Sequence, residues 1–240
     1  MIRYQIINTG SDGNATVFND SVLVDCGVPF RDLARYIRSL GLVLLTHIHS
    51  DHFNPSTVRR IASERPGVRW GCGRWLVLPL VEVGVPKQMI DVYEMGRTYD
   101  YGIVRIEPVK LIHNVENCGY KLRFRDGFRA IYATDTVTMA GIKAENYDLY
   151  LVEANYADEE IEKRIREKQK NGQYAYEVEA RKHHLSQTRC DDWLYQNMGQ
   201  NSRFVYMHRH REPDEGKGQD GEKADCPEPG SERSDCGEND

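Results

Sequence analysis

The chain has 240 residues, of which 40% are hydrophobic, with 37 acidic and 32 basic side chains and a formal charge of −5. That length suits one domain with a core of its own, and no uninterrupted apolar run approaches the roughly 20 residues needed to cross a membrane. The opening Met1-Ile2-Arg3-Tyr4-Gln5 lacks the basic start and apolar block of a secretory leader. The charge is uneven. From Glu212 onward there are eleven acidic and three basic residues among Pro, Gly and Ser, with almost no large apolar side chain. Such a segment cannot bury enough surface to offset the entropy of ordering. We therefore expect one folded domain over residues 1–211 and an acidic disordered tail over residues 212–240. Removing the tail's −8 from the total of −5 leaves +3 for the body, a balance that permits an anionic substrate without demanding one. The six cysteines form no CxxC pair, which fits a reducing, cytoplasmic setting. Nothing in the sequence identifies a protein partner.

In chain order, Tyr4–Ile7, Ala15–Phe18 and Val22–Asp25 read as short strands separated by turns at Thr9-Gly10-Ser11-Asp12-Gly13 and Asn19-Asp20. Pro29 opens a helix with apolar Leu33, Tyr36, Ile37 and Leu40, and Gly41 follows its end. The apolar strand Leu42-Val43-Leu44-Leu45 leads to Thr46. Asn54-Pro55 supplies a cap and first turn for a helix through Val58 and Ile61, and Trp75–Val83 reads as a further apolar helix. Strands resume at Asp91–Tyr93, Ile103–Ile112, Tyr120–Phe124 and Arg129–Ala133, the last two joined across Arg125-Asp126-Gly127. A strand at Asp148–Val152 precedes a highly charged helix over Asp158–Lys170, read as a solvated face. A helix near Ser186–Asn197 then leads to strand Arg203–Met207. Two sets of strands with interspersed helices indicate layered α/β packing, not a regularly alternating parallel sheet.

The strongest chemical signal is Thr46-His47-Ile48-His49-Ser50-Asp51-His52, which places three of the chain's eight histidines within six positions, beside an aspartate. The cluster follows a buried-looking strand, so its side chains emerge from the end of a rigid element. Imidazole and carboxylate are good ligands for zinc and similar ions. His47 and His49 can point the same way from an extended backbone, while Asp51 and His52 can turn toward a second ion at the ~3.5–4 Å spacing of two-metal sites.

The motif resembles the HxHxDH signature of the metallo-β-lactamase superfamily, and the resemblance extends over nearly all of residues 1–211. It implies a four-layer αββα sandwich of the α/β class and a dinuclear, metal-dependent hydrolase, with zinc suited to the histidine-rich ligands and manganese or iron also allowed. By this resemblance His113, Asp135 and His208, each at a strand end, complete the set. His47, His49 and His113 would hold one ion and Asp51, His52 and His208 the other, with Asp135 shared. His210 remains an alternative to His208. In the ribonuclease Z and related nuclease branches, a glutamate such as Glu153 orients a histidine such as His184 to protonate the leaving oxygen. Since His183 is adjacent, the choice of His184 rests on the resemblance alone. Asp51, Glu153 and His184 are thus the catalytic candidates. Thr9-Gly10-Ser11-Asp12-Gly13-Asn14-Ala15 followed by Leu23-Val24-Asp25-Cys26-Gly27 is similar to the opening of the YycJ/WalJ-like exonuclease branch. Asp25 is a candidate partner for the outer nitrogen of a ligand histidine.

These readings imply phosphodiester hydrolysis, with nucleic acid as the expected substrate. The same metals also serve ester, thioester or lactam hydrolysis elsewhere in the superfamily, and a metal-binding module without activity is the third possibility. The resemblance lacks two features of its larger members: there is no room between Asp135 and His184 for a large extra domain, and no long Gly/Pro-rich arm. Arg59, Arg60, Arg65, Arg69 and Arg74 could line a nucleic-acid path, although surface solvation is the commoner role for such residues.

Overall fold

Strands that are apolar on both faces need cover on both sides, and three consecutive strands of this chain are of that kind: β2 (Ala15–Phe18), β3 (Val22–Val24) and β4 (Leu42–Leu45) are buried at every residue. The computed structural model describes residues 3–209, and the acidic segment 212–240 lies outside the described residues. One six-stranded sheet runs in chain order from β1 (Tyr4–Asn8) through β2, β3 and β4 to β5 (Arg69–Cys72) and β6 (Ile90–Val92). Its first three strands pair antiparallel and the rest parallel. The second six-stranded sheet runs from β7 (Tyr99–Asp100) through β8 (Val104–Ile112), β9 (Glu116–Phe124), β10 (Arg129–Ala133) and β11 (Leu149–Glu153) to β12 (Arg203–Met207). It too begins antiparallel and ends parallel, with β10, β11 and β12 aligned.

The period of two in β4 shows how the layers form. Val43 and Leu45 pack with Val58 and Ile61 of helix α2 (Pro55–Glu64) on the outer face. Leu42 and Leu44 instead meet Tyr120, Leu122 and Leu149 of the opposing sheet. Helices α1 (Phe30–Leu33) and α3 (Val77–Glu82) contribute Leu33 and Leu80 to the same outer layer as α2. Beyond β11 the chain forms α4 (Asp158–Lys170), α5 (Glu177–His183) and α6 (Gln187–Asn197) before returning as β12. Cys190, Trp193 and Leu194 of α6 pack on Ile131, Tyr150 and Val152, closing the fourth layer. The arrangement is the four-layer αββα sandwich that the sequence implies.

Local differences have local causes. The helix expected from Pro29 to Leu40 breaks after Leu33 into a 3₁₀ turn at Ala34–Tyr36, although Leu33, Tyr36, Ile37 and Leu40 are all buried. Strand β5 carries Arg69 and Gly71, which hide its pattern, yet Trp70 and Cys72 are buried in it. Strand β9 starts at Glu116 instead of Tyr120 because β8 and β9 pair from Ile112↔Glu116 onward. Helix α5 has no apolar stripe; its buried residue is Glu177, which accepts a 2.5 Å hydrogen bond from Lys168 of α4. The capped α2 is as expected, with the Asn54 side chain accepting from the Ser56 and Thr57 N–H groups.

Parallel strands place their C-terminal ends on one edge, where open α/β sheets carry their sites. There the loop after β4 is fastened to the turn after β3: the Cys26 N–H donates to the His52 carbonyl at 2.9 Å, and the Asn54 N–H to the Cys26 carbonyl at 3.0 Å. Gly27 is enclosed by this contact, since a Cβ there would lie 1.6 Å from the Asp51 carbonyl oxygen. Gly27→Ala is expected to cost about 1–3 kcal/mol through overpacking, or roughly 2–12 °C in Tm for a domain of this size. A Cβ at Gly67 would meet nothing within 4 Å, so Gly67→Ala should melt with the wild type. Equal Tm for the two variants in a thermal melt would contradict the packing argument.

Candidate metal centre

The loop after β4 leaves the sheet at Thr46, whose carbonyl accepts from the Trp75 indole at 3.1 Å, while the preceding Leu45 carbonyl accepts from the Tyr120 hydroxyl at 2.5 Å. Both sheets therefore hold the base of the loop. His47, His52, Asp135 and His208 are buried. Three residues of this region lie in the left-handed backbone region that side chains rarely adopt: Asp25 at φ 62°, Asp135 at φ 59° and His208 at φ 53°. Each follows a strand directly or by one residue, and the kink turns its side chain off the strand axis toward the common edge. Strain of this kind, on the order of 1–3 kcal/mol per residue, persists only where the surroundings over-determine it.

The candidate ligands and catalytic residues His47, His49, Asp51, His52, His113, Asp135, Glu153, His184 and His208 come together at this edge. His47 Nε2 lies 3.1 Å from His49 Nδ1, and His113 Nε2 lies 3.3 Å from the same atom. His52 Nε2 is 2.9 Å from Asp135 Oδ2 and 3.5 Å from Asp51 Oδ2. His208 Nε2 is 3.2 Å from Asp51 Oδ2 and 3.6 Å from Asp135 Oδ1. The triads His47–His49–His113, Asp51–His52–His208 and His47–His52–Asp135 each offer ligand atoms within 4.8 Å of one another. Of the adjacent pair, His184 is the one that meets Glu153, at 2.6 Å from Nδ1 to Oε1. His183 instead offers its main-chain carbonyl to His113 Nδ1 at 3.0 Å. His208 lies in the cluster, and His210 falls outside the described residues.

The hydrogen bonds around the cluster show that its donor atoms fit a divalent cation. His113 Nδ1 must carry its proton to bond the His183 carbonyl. Asp25 accepts from the Thr46 N–H and hydroxyl, and its Oδ2 lies 2.7 Å from His52 Nδ1. With its own proton directed to Asp25, the Thr46 hydroxyl accepts from His47 Nδ1 at 3.0 Å. His47 and His113 thus present bare Nε2 lone pairs inward, and both converge on His49 Nδ1, which can give a proton to only one of them. His52 Nε2 lies 2.8 Å from the Asn14 amide nitrogen and 2.9 Å from Asp135 Oδ2. Lone pair against lone pair is repulsive unless positive charge lies between, and neutral imidazoles with carboxylates are what zinc-type sites use.

Burial lowers His47 well below the usual imidazole range, lowers His49, and lowers His113 to about 4, keeping these three neutral and able to ligate. Burial opposes charge on His52 and His208 as well, but Asp135 with Asp25 on the one, and Asp135 with Asp51 on the other, outweighs it and raises both. Asp135, despite its own burial, is held well below the ordinary carboxyl range by His52 and His208. The cluster is thus balanced between imidazole and carboxylate charge.

Several supporting residues were not singled out by sequence reading. Asn14 is fully buried, bonds the Gly10 main chain at 3.0 Å in both directions, and donates its N–H to the Asp51 carbonyl at 2.6 Å. Its signal was its place in a Gly-rich turn. The Asn155 amide reaches both His208 Nδ1 at 3.0 Å and the His208 carbonyl at 2.8 Å; it stands two residues after Glu153, on the same side of an extended backbone. The Tyr132 hydroxyl donates to Asp25 across the sandwich at 3.2 Å, a contact with no sequence signal. Three of the five arginines considered for a nucleic-acid path are engaged elsewhere: Arg60 pairs with Glu64, Arg69 with Asp91, and Arg65 bonds the Leu40 carbonyl. None lines the cavity of about 370 Å³ that opens over the cluster.

Asp25 touches no substrate and acts through His52 and Thr46. Residues in that position typically contribute about 10–100-fold to metal affinity. Asp25→Asn, nearly isosteric, is expected to weaken zinc by that factor in competition with a chromogenic chelator. An affinity within about twofold of the wild type would remove the role.

The chain matches the β-lactamase superfamily domain model over residues 20–208. The exodeoxyribonuclease WalJ of Streptococcus pneumoniae is 26% identical over 230 residues, covering 85% of this chain and 80% of that protein. Among solved structures, the metallo-β-lactamase fold protein YhfI from Bacillus subtilis matches with a TM-score of 0.66 at 17% identity, covering 87% of this chain and 86% of that one. Human tRNase Z, short form, matches with a TM-score of 0.65 at 15% identity, covering 87% and 92% respectively. The chain belongs to the β-lactamase superfamily domain family, as a hydrolase of the metallo-β-lactamase fold.

Proposed function

We propose that this protein is a dinuclear metal-dependent phosphodiesterase acting on nucleic acid. His47, His49 and His113 hold one cation, Asp51, His52 and His208 the other, and Asp135 is shared between them; the histidine-rich set suits zinc, with manganese or iron as alternatives. The observation that carries the phosphodiester assignment is the Glu153–His184 pair beside this set. An alkoxide expelled from phosphate is a poor leaving group unless protonated, and an imidazole aligned by a carboxylate supplies that proton. The names of two relatives, an exodeoxyribonuclease and a tRNase, support the same substrate class. Four buried free cysteines, Cys26, Cys72, Cys118 and Cys190, fit the reducing cytoplasmic setting we assign to the domain over residues 1–211. Among the described residues no helix is long and apolar enough to cross a membrane.

A bound cation pair supplies positive charge for phosphate oxygens and lowers the pKa of water to about 7. The chain's own residues do the rest. Asp51 lines the cavity and is partly exposed there, so it can orient the attacking water by accepting one of its protons in a hydrogen bond. Glu153 Oε2 accepts from the Thr136 N–H at 2.8 Å and the Leu185 N–H at 3.2 Å. Two donors at that oxygen confine any proton of the pair to the 2.6 Å line between Oε1 and His184 Nδ1. Burial pushes the Glu153 carboxyl up against the opposing pull of His184, which favours sharing that proton. With Nδ1 so held, Nε2 of His184, a residue lining the cavity, is the nitrogen that gives its proton to the departing oxygen.

His184→Ala is expected to keep full metal content and lose about 10²–10⁴-fold in turnover, whereas Asp51→Ala should lose metal itself. Metal analysis by mass spectrometry, with assays on single-stranded DNA, RNA, a small phosphodiester and a thioester, reads both. Near-normal turnover in His184→Ala, or a thioester preferred over every phosphodiester, would overturn the assignment.

A further inference from the structure

Directly opposite residues of an antiparallel pair stand about 4.5–5.5 Å apart at Cβ, and like charges there destabilise a sheet. The second sheet nevertheless holds three arginines in one register row. Arg105 of β8 is paired with Arg123 of β9, and Arg123 with Arg129 of β10. Ile131, two residues after Arg129 and so on the same face, belongs to the cluster that α6 covers. The row therefore lies on the outer face of the sheet. The helical layer stops short of it, because Arg105 and Arg123 are exposed.

Only part of this charge is answered within the chain. Arg105 pairs with Asp100 at 2.9 Å, while Arg129 lies over the Tyr147 ring and donates to the Asn146 carbonyl. Arg123 and Arg125 form no ion pair with a described carboxylate. Arg105, Arg123 and Arg125 line one cavity of about 390 Å³, where Asp100 is the one acid among the described lining residues, so +3 and −1 leave its walls at +2. The cavity over the metal cluster is the reverse: no described lysine or arginine lines it. Phosphates flanking the one under attack meet no basic side chain there. Strand β8 joins the two places, with Arg105 near its start and His113 just past its end, about 27 Å apart at ~3.4 Å per residue.

We propose that Arg105, Arg123 and Arg125, with Arg129 beside them, form a docking surface for the backbone of a nucleic-acid strand, remote from the metal cluster. Guanidinium groups match phosphate through paired N–H donors, and a strand presents phosphates repeatedly, about 3.4 Å apart along a duplex. A strand reacting at the cluster meets the row about eight nucleotides away in a duplex, and fewer where it is extended. The inference rests on the phosphodiesterase reading above. It adds that the substrate is a polymer, gripped at a distance from the bond that breaks.

Two readouts of the zinc-loaded protein separate the two ideas. The first is fluorescence anisotropy with a labelled phosphorothioate thymidylate strand of about 16 nucleotides, which resists hydrolysis, titrated between about 50 and 200 mM salt. The second is steady-state hydrolysis of bis(p-nitrophenyl) phosphate, whose single phosphate cannot reach the row from the cluster. The double variant Arg123→Ala with Arg125→Ala is expected to weaken strand binding by roughly 2–30-fold. It should also lower the slope of log Kd against log salt by about 0.7 for each arginine removed, leaving hydrolysis of the small diester unchanged. Arg123→Lys with Arg125→Lys keeps the charge and should restore the slope. Arg38→Ala with Arg59→Ala, which removes two exposed arginines beside the other sheet, should change neither readout. If the wild type holds no strand, if the alanine pair binds as the wild type does, or if the control pair loses as much, the surface is overturned, and hydrolysis of the small diester still supports the phosphodiesterase reading. Strand binding that depends on Arg123 and Arg125, in a protein that hydrolyses no phosphodiester, would keep the surface and remove the phosphodiesterase reading.

Discussion

A carboxylate taken out of water stays ionised only where positive charge or hydrogen-bond donors stand close to it, and the functional edge of this protein is organised around three such carboxylates. Asp25 and Glu153 are fully buried and Asp135 is 2% exposed. Asp25 has donors from Thr46 and Tyr132, and Glu153 has main-chain donors from Thr136 and Leu185. Asp135 is different. One of its oxygens has no donor, and four imidazoles, of His52, His113, His184 and His208, converge on the group. The rest of the site follows from that asymmetry. Satisfied carboxylates serve as fixed points that orient rings, and the unsatisfied one sits among the clustered imidazoles.

The fold supports this arrangement because its two sheets deliver these side chains from rigid strand ends. Aligned strands β10, β11 and β12 put Asp135, Glu153 and His208 just past or at their last residues, while β4 delivers His47 from the opposing sheet. Contacts across the sandwich tie the two contributions together. Tyr132 on β10 reaches Asp25 beside β3, and Tyr120 on β9 reaches the last carbonyl of β4. Each of these tyrosines places its hydroxyl on a partner inside a layer that is otherwise apolar, the condition under which a buried hydroxyl is tolerated.

Much of this was legible in the sequence, and what was not has identifiable reasons. Residues whose chemistry is concentrated locally, such as His47 to His52, announce themselves by composition alone. His113, Asp135 and His208 needed the resemblance, because a lone histidine or aspartate at a strand end carries little information without its partners, and these three stand 66, 88 and 161 positions after His47. Strand β5 escaped notice because Arg69 and Gly71 break its apolar pattern, although the arginine is absorbed by a paired Asp91 on the neighbouring strand. Helix α5 escaped because it is short and charged, and it is held by an ion pair to α4 and by the two histidines at its end instead of by an apolar stripe. Asn14 and Asn155 act through hydrogen bonds whose partners are distant in the chain, and no local pattern encodes such contacts.

The same reasoning explains why the charged hairpin α4–α5 is more than a solvated face. A helix with Asp158, Glu159 and Glu160 in its first turn and Lys168 and Lys170 in its last is matched to its own macrodipole, and on that ground alone needs no further role. Yet Ile161 and Ile165 are buried, and Lys168 leaves the solvent to pair with Glu177 beneath the Tyr176 ring. An ammonium group held against a buried carboxylate and an aromatic face gives up hydration that an exposed lysine would keep. That arrangement fixes the position of α5, whose last carbonyl orients His113 and whose following residue is His184. The start of α5 is therefore tied to α4 and its end to His113 and Glu153, so one short element links the charged hairpin to the histidine cluster.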